Sequence, residues 1–230
     1  MGLVRFGAAA AAVASIVSAA QAADFTVSFT NITNSGNPDV AAQLKLTVSE
    51  VAGDSTKVDF YFQNLVGIQS SIKEVYFDAG SLGAIFTGGA INSQNGSSFA
   101  WGSASPPDLP GGSSIVVPFV TTLSLLTDSG SGGPSTGLDT NSDWLRLRLN
   151  LAAGKTFTDI SNGMQSIGPG MAGNVRVGLH VISIGAPGGS DSFVSGPNGP
   201  SVPLPPAVFA GVTGLATVVG VRRVRERRFR

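Results

Sequence analysis

Few residues in this chain are equipped for chemistry. There is one histidine, His180, and no cysteine, so thiol chemistry, disulfides and the usual zinc ligand sets are closed to it. His180 falls in the alternating run Val175-Arg176-Val177-Gly178-Leu179-His180-Val181. Val175, Val177, Leu179 and Val181 then share a core face, and His180 points the other way beside Arg176 and Gly178. A nucleophile–histidine–acid site could recruit it with a serine, but the chain has no Gly-x-Ser-x-Gly elbow. The expectation is a structural histidine bonded to a neighbouring loop.

Carboxylates are the next candidates. Glycoside hydrolysis needs two acids about 5 to 9.5 Å apart. Asp78, Asp108, Asp128 and Asp191 qualify only by being acidic, and aspartates in turn-rich sequence ordinarily brace turns. The one cofactor the pattern suggests is calcium. In Asp139-Thr140-Asn141-Ser142-Asp143, the side chains of Asp139, Asn141 and Asp143 match the first three ligand positions of a calcium loop. Trp144 stands where that loop needs glycine and Asn150 where it needs glutamate, which excludes a helix–loop–helix site. An irregular calcium site and a plain polar turn both remain open. Trp101 and Trp144 offer ring faces that can stack on a sugar, and burial as packing anchors is the other reading.

The elements that must position these residues read as strands. Phe25, Val27 and Phe29 alternate, as do Leu44, Leu46 and Val48; Lys57–Phe62 follows the turn Gly53-Asp54-Ser55 and should form a hairpin with the preceding strand. Further strands are expected at 72–77, 98–101, 115–123, 144–151 and 175–184, each bounded by Gly, Pro, Asn or Asp. One short helix is expected over 157–165. Phe157, Ile160 and Met164 recur there at helical spacing behind Thr156 as N-cap, and its apolar side should lid one end of the body. From Gly185 the chain becomes rich in Gly, Pro and Ser and reads as a semi-extended linker. The fold class is all-β: an antiparallel sandwich or jelly roll over residues 24–194, with an N-terminal signal helix and a C-terminal transmembrane helix.

Both ends carry transport signals. Residues 1–23 have Arg5, an alanine-rich apolar stretch and Ala20-Gln21-Ala22, the three regions of a secretory signal peptide; a retained first membrane helix is the alternative. Residues 195–206 form a linker ending in Val202-Pro203-Leu204-Pro205, and 207–221 are an apolar run short for a span but within reach of one. Residues 222–230 hold Arg222, Arg223, Arg225, Arg227, Arg228 and Arg230, which should stay on the cytoplasmic side. A buried helix with a solvated basic tail is the other reading of this stretch.

That tail resembles the PEP-CTERM sorting signal of Gram-negative bacteria. The family usually has Val-Pro-Glu-Pro; Leu204 replaces the glutamate, as in a Val-Pro-Leu-Pro variant class that the tail also resembles. The resemblance implies recognition by the membrane protease exosortase, cleavage near the motif and transfer to the cell surface. The body is similar to a domain that recurs upstream of such tails, through Ser70–Asp78, Ser105–Gly112, Gly178–Val181 and Ser190–Phe193. That similarity implies a secreted β-rich domain and carries no activity.

Charge supports the division. The whole chain balances 14 basic against 14 acidic residues, but Asp24–Ser201 keeps seven basic residues against thirteen acids, a net charge of −6. An acidic body without a basic patch excludes a nucleic-acid partner. The expected partners are an exosortase-type protease, the membrane and extracellular polysaccharide. The expected function is that of a non-enzymatic surface or extracellular-matrix protein, with a carbohydrate-binding module or a secreted hydrolase as alternatives.

Overall fold

The computed structural model describes residues 23–127, 136–140, 142–165, 175–185 and 188–196. Among the described residues eleven strands form one antiparallel sheet, which rolls up barrel-like around a single main core. In chain order they are β1 (Asp24–Asn31), β2 (Leu44–Glu50), β3 (Lys57–Asn64), β4 (Ser71–Asp78), β5 (Phe86–Asn95) and β6 (Phe99–Trp101). Then come β7 (Leu123–Thr127), β8 (Leu138–Asp139), β9 (Trp144–Leu151), β10 (Arg176–Ile182) and β11 (Ser190–Gly196). The helix α1 spans Phe157–Gln165. The path across the sheet is β5-β9-β3-β2-β1-β11-β10-β4-β7-β6, with β8 on β4.

β1 joins the two halves of this path. Residues Asp24–Val27 pair with β2, and Ser28–Asn31 pair with β11. Its alternation supplies Phe25, Val27 and Phe29 to the core, all at most 6% exposed. Opposite them, Phe60 and Phe62 of β3 meet Phe77 of β4 edge-on, with centroids 5.2 and 6.4 Å apart. Each such ring removed from water contributes about 1.5–3 kcal/mol, and edge-to-face contact adds to that. The turn between β2 and β3 is set by Asp54. Its Oδ1 accepts from the Thr56 amide and hydroxyl, while Oδ2 pairs with Lys57 at 2.8 Å. Lys57 and Thr56 together hold the Asp54 carboxyl down at about 2.

The helix stands where it was expected. Thr156 and Asp159 make a reciprocal cap: the Thr156 amide donates to Asp159 Oδ2 at 2.7 Å, and the Asp159 amide donates to Thr156 Oγ1 at 3.4 Å. Phe157 packs on Phe25 with centroids 5.8 Å apart, and Ile160 and Met164 are buried in the core. Val175 and Leu82 approach so closely that a Cβ on Gly163 would sit 3.2 Å from each.

Three expectations change. The apolar stretch 115–123 is not a strand; the strand begins at Leu123, and 115–122 closes a long loop. Pro118 has no N–H for a ladder, Val117 turns to φ +58°, and Arg176 takes the carbonyls of Val117 and Pro118. The Gly- and Ser-rich stretch after Gly185 includes β11, which pairs with both β1 and β10 and buries Phe193 completely. β5 was not anticipated. Its Gly88-Gly89-Ala90 centre is exposed at the end of the sheet path, so it shows no core-facing alternation.

A second, smaller core lies on the outer face of the β11–β10–β4 region. The loop between β6 and β7 folds back so that Ala104, Leu109 and Phe119 cover Tyr76 and Val194. Gly178 makes room for it: a Cβ there would stand 2.7 Å from Leu109 Cδ2 and 3.1 Å from Phe119 Cζ.

Candidate functional site

His180 faces away from the core, as its alternation requires, and its partner is Glu74 on the adjoining strand rather than a loop. His180 Nδ1 and Glu74 Oε2 are in hydrogen-bond contact between directly opposed residues of β10 and β4. A bulge makes this possible. His180 opposes Glu74 while Val181 opposes Ile72, leaving Lys73 as the extra residue. The bulge reverses the phase of β4, so that Ile72, Val75 and Phe77 all face inward and Glu74, Tyr76 and Asp78 outward. Glu74 is 1% exposed, with Lys73 Nζ 3.9 Å from its other oxygen. Burial, followed by the charge of Glu74, pushes the Tyr76 phenol far up, and its hydroxyl donates to the Pro106 carbonyl at 3.0 Å.

Ser192 stands opposite His180 on the other side, in β11, which completes a Glu74–His180–Ser192 row across three strands. Ser192 is fully buried, and among the described residues its hydroxyl has no bonding partner, the imidazole included. A nucleophile needs contact with its base and access to a substrate. The row has neither.

The acids singled out in the sequence go to separate places. Asp78 is buried against Arg176; it also accepts the amides of Gly80 at 2.8 Å and Val120 at 3.1 Å. Arg176 lies over the Phe119 ring at 5.3 Å, so this pair fastens the long loop to the sheet. Asp191 accepts Thr33 Oγ1 at 2.7 Å and the Ser35 amide and Asn37 Nδ2 at 2.9 Å. Burial alone would raise its carboxyl; these three donors outweigh that and hold it at about 2. Asp108 is exposed on the long loop, and Asp128 lies outside the described residues.

Asp139 and Asp143 do converge. The Asp139 amide donates to Asp143 Oδ2 at 3.2 Å, and Asp143 presses on Gly96, where a Cβ would overlap Oδ1 at 1.8 Å. Burial first, and then the like charge of Asp143, raises the Asp139 carboxyl, against a bond from Ser71. Asn141 lies outside the described residues. Among the described residues no three His, Cys, Asp or Glu side chains cluster to hold a metal.

The two tryptophans differ. Trp144 sits on the outward side of β9, its ring 5.8 Å from Tyr61, and the Arg146 guanidinium lies 5.2 Å over the same tyrosine. Beyond them Arg148 grips Asp59 through two bonds of 2.7 Å. Trp101 ends β6, half-buried against the main core, at the neck where the long loop leaves the sheet and returns at Leu123. An open cleft of about 600 Å³ lies there, lined by Trp101, Ser103, Asp108, Thr121 and neighbours. The hydroxyls of Ser124 and Thr122 are already committed, to Gly102 O and Phe77 O. Trp101 Nε1 and Thr121 Oγ1 are buried and have no partner among the described residues. Sequence reasoning picked out Trp101 as a ring face and Asp108 only as one of four acids, and it did not mark Thr121; the turn-rich stretch after Trp101 was the available signal.

Val202, Pro203, Leu204, Pro205, the apolar run 207–221 and the arginine cluster lie outside the described residues, as do residues 1–22. Among the described residues no helix is long and apolar enough to cross a membrane. Fold and site together describe an antiparallel all-β protein with a side cleft. The chain matches no protein-family model, no curated protein and no solved structure.

Proposed function

We propose that this is an exported protein of the cell surface or extracellular matrix, a β-sandwich or jelly-roll body delivered by an N-terminal signal and sorted by a PEP-CTERM-like tail. One observation carries the reading: the first and last described strands of the body are antiparallel neighbours. β1 begins at Asp24, directly after Ala20-Gln21-Ala22, and β11 runs antiparallel beside it with Gly196 opposite Ser28. A cut before Asp24 leaves β1 whole, and a cut near Val202–Pro205 falls beyond the last strand. Either end can therefore be processed without cutting into β1 or β11.

In this reading the arginines hold the tail on the cytoplasmic side while the acidic body crosses. An exosortase-type protease and the membrane are its partners during sorting. The test is expression of the full chain in a Gram-negative host with and without such a protease, followed by fractionation and mass spectrometry of both termini. The expected product begins at Ala23 or Asp24, lies outside the inner membrane and loses its arginines only when the protease is present. An intact Met1–Arg230 chain in the cytoplasm would overturn the proposal.

A further inference from the structure

We infer that the cleft beside Trp101 is a binding site for a neutral carbohydrate, with Trp101 as the platform and Asp108 and Ser103 as polar contacts. The inference is independent of how the chain is sorted. It starts from the convergence of three features at one place. The first is a concave opening of about 600 Å³, within the range of small-ligand sites. The second is Trp101 itself, half-buried, packed against the main core and lining the cleft. The third is exposed bonding capacity: Ser103 and Asp108 line the same cleft and are open to solvent.

The class of ligand follows from what surrounds the ring. A sugar presents one apolar face for the aromatic plane and a rim of hydroxyls that both donate and accept. Asp108, exposed at the cleft, accepts from such hydroxyls; Ser103 can donate or accept. None of the cleft residues is cationic, and the body carries a net charge of −6, so an anionic chain is repelled both locally and at a distance. Trp144 is a weaker platform, because its ring lies in a ladder with Tyr61 and Arg146 on the outer side of the sheet.

The experiment uses the full chain purified in detergent, run on native gels containing soluble neutral glucan, mannan or galactan, or an acidic polyuronate. At least one neutral glycan should retard the protein, and the polyuronate should not. Trp101→Ala should abolish the retardation, Asp108→Ala should weaken affinity at least tenfold, and Trp144→Ala should leave it unchanged. Because Trp101 also packs on the core, Trp144→Phe supplies a second readout. Trp101 is then the single tryptophan, and its emission should shift on adding the retarding glycan's hexasaccharide. No retardation by any neutral glycan overturns the inference. So does retardation by the polyuronate alone, or retardation that survives Asp108→Ala with unchanged emission in Trp144→Phe.

Discussion

Glu74 and His180 oppose each other across β4 and β10, and the bulge at Lys73 is what brings the carboxylate to the imidazole. Glu74 is 1% exposed, so removing its partner leaves an acid in a dry place, with Lys73 at 3.9 Å and the Tyr76 hydroxyl beside it. His180→Leu should therefore cost about 3 kcal/mol, in the range for breaking a buried pair. Glu74→Met combined with His180→Leu should recover most of that loss. Urea unfolding of the two single variants and the double variant checks this; a strictly additive cycle would refute the coupling.

Asp191 should give the body an acid limb. Its folded carboxyl lies at about 2 against an ordinary 3.8, so the folded state prefers the charged form. The stabilisation is fully present above pH 3.8 and is lost as pH falls through about 2, an amount of about 2 kcal/mol. Asp191→Ala should lower neutral-pH stability by at least that much, since Thr33, Ser35 and Asn37 lose a common acceptor. The variant's unfolding midpoint should also vary less with pH between 4 and 2, measured by denaturant titration at each pH.

Asp139 has the opposite sign. Burial and Asp143 raise its folded carboxyl, so the folded state binds the proton more tightly than the unfolded chain does. The charged form is then a penalty present above the folded value, and it disappears as pH falls below it. Asp139→Asn should raise the melting temperature at pH 7, with the advantage shrinking on acidification. A melting temperature lowered by the substitution at pH 7 would show that the charge is favourable there.

Gly178 controls how the long loop lies down. Gly178→Val puts methyl groups where Leu109 and Phe119 now rest, so the loop should lift and the body lose about 1–3 kcal/mol. Limited proteolysis should then cut within residues 102–122 of the variant well before the wild type. Equal cutting rates would mean that the loop is held by Arg176 and Asp78 alone.

Much of this was legible without a structure wherever one physical signal dominated. Alternation placed Phe25, Val27 and Phe29 on one side, and the Gly53-Asp54-Ser55 turn set the β2–β3 hairpin. The Thr156 cap with helical spacing set α1, because a cap and a periodicity are local. The same reasoning sent His180 outward, but not to Glu74. That meeting depends on a bulge, and a bulge depends on which strand lies alongside.

Long-range pairing decided the rest. Ser190–Gly196 looks like linker because its glycine and serines have low strand propensity; it is a strand because β1 and β10 flank it on both sides. Residues 115–122 look like strand because they are apolar, yet Phe119 spends its hydrophobicity on the outer face, where Arg176 holds the backbone. The charge and hydropathy of the two ends are written entirely in the sequence. The cleft at Trp101 was not, because it is made by a loop leaving the sheet at one strand and returning at the next. Local chemistry is set by neighbours in the chain, and a site is set by neighbours in space.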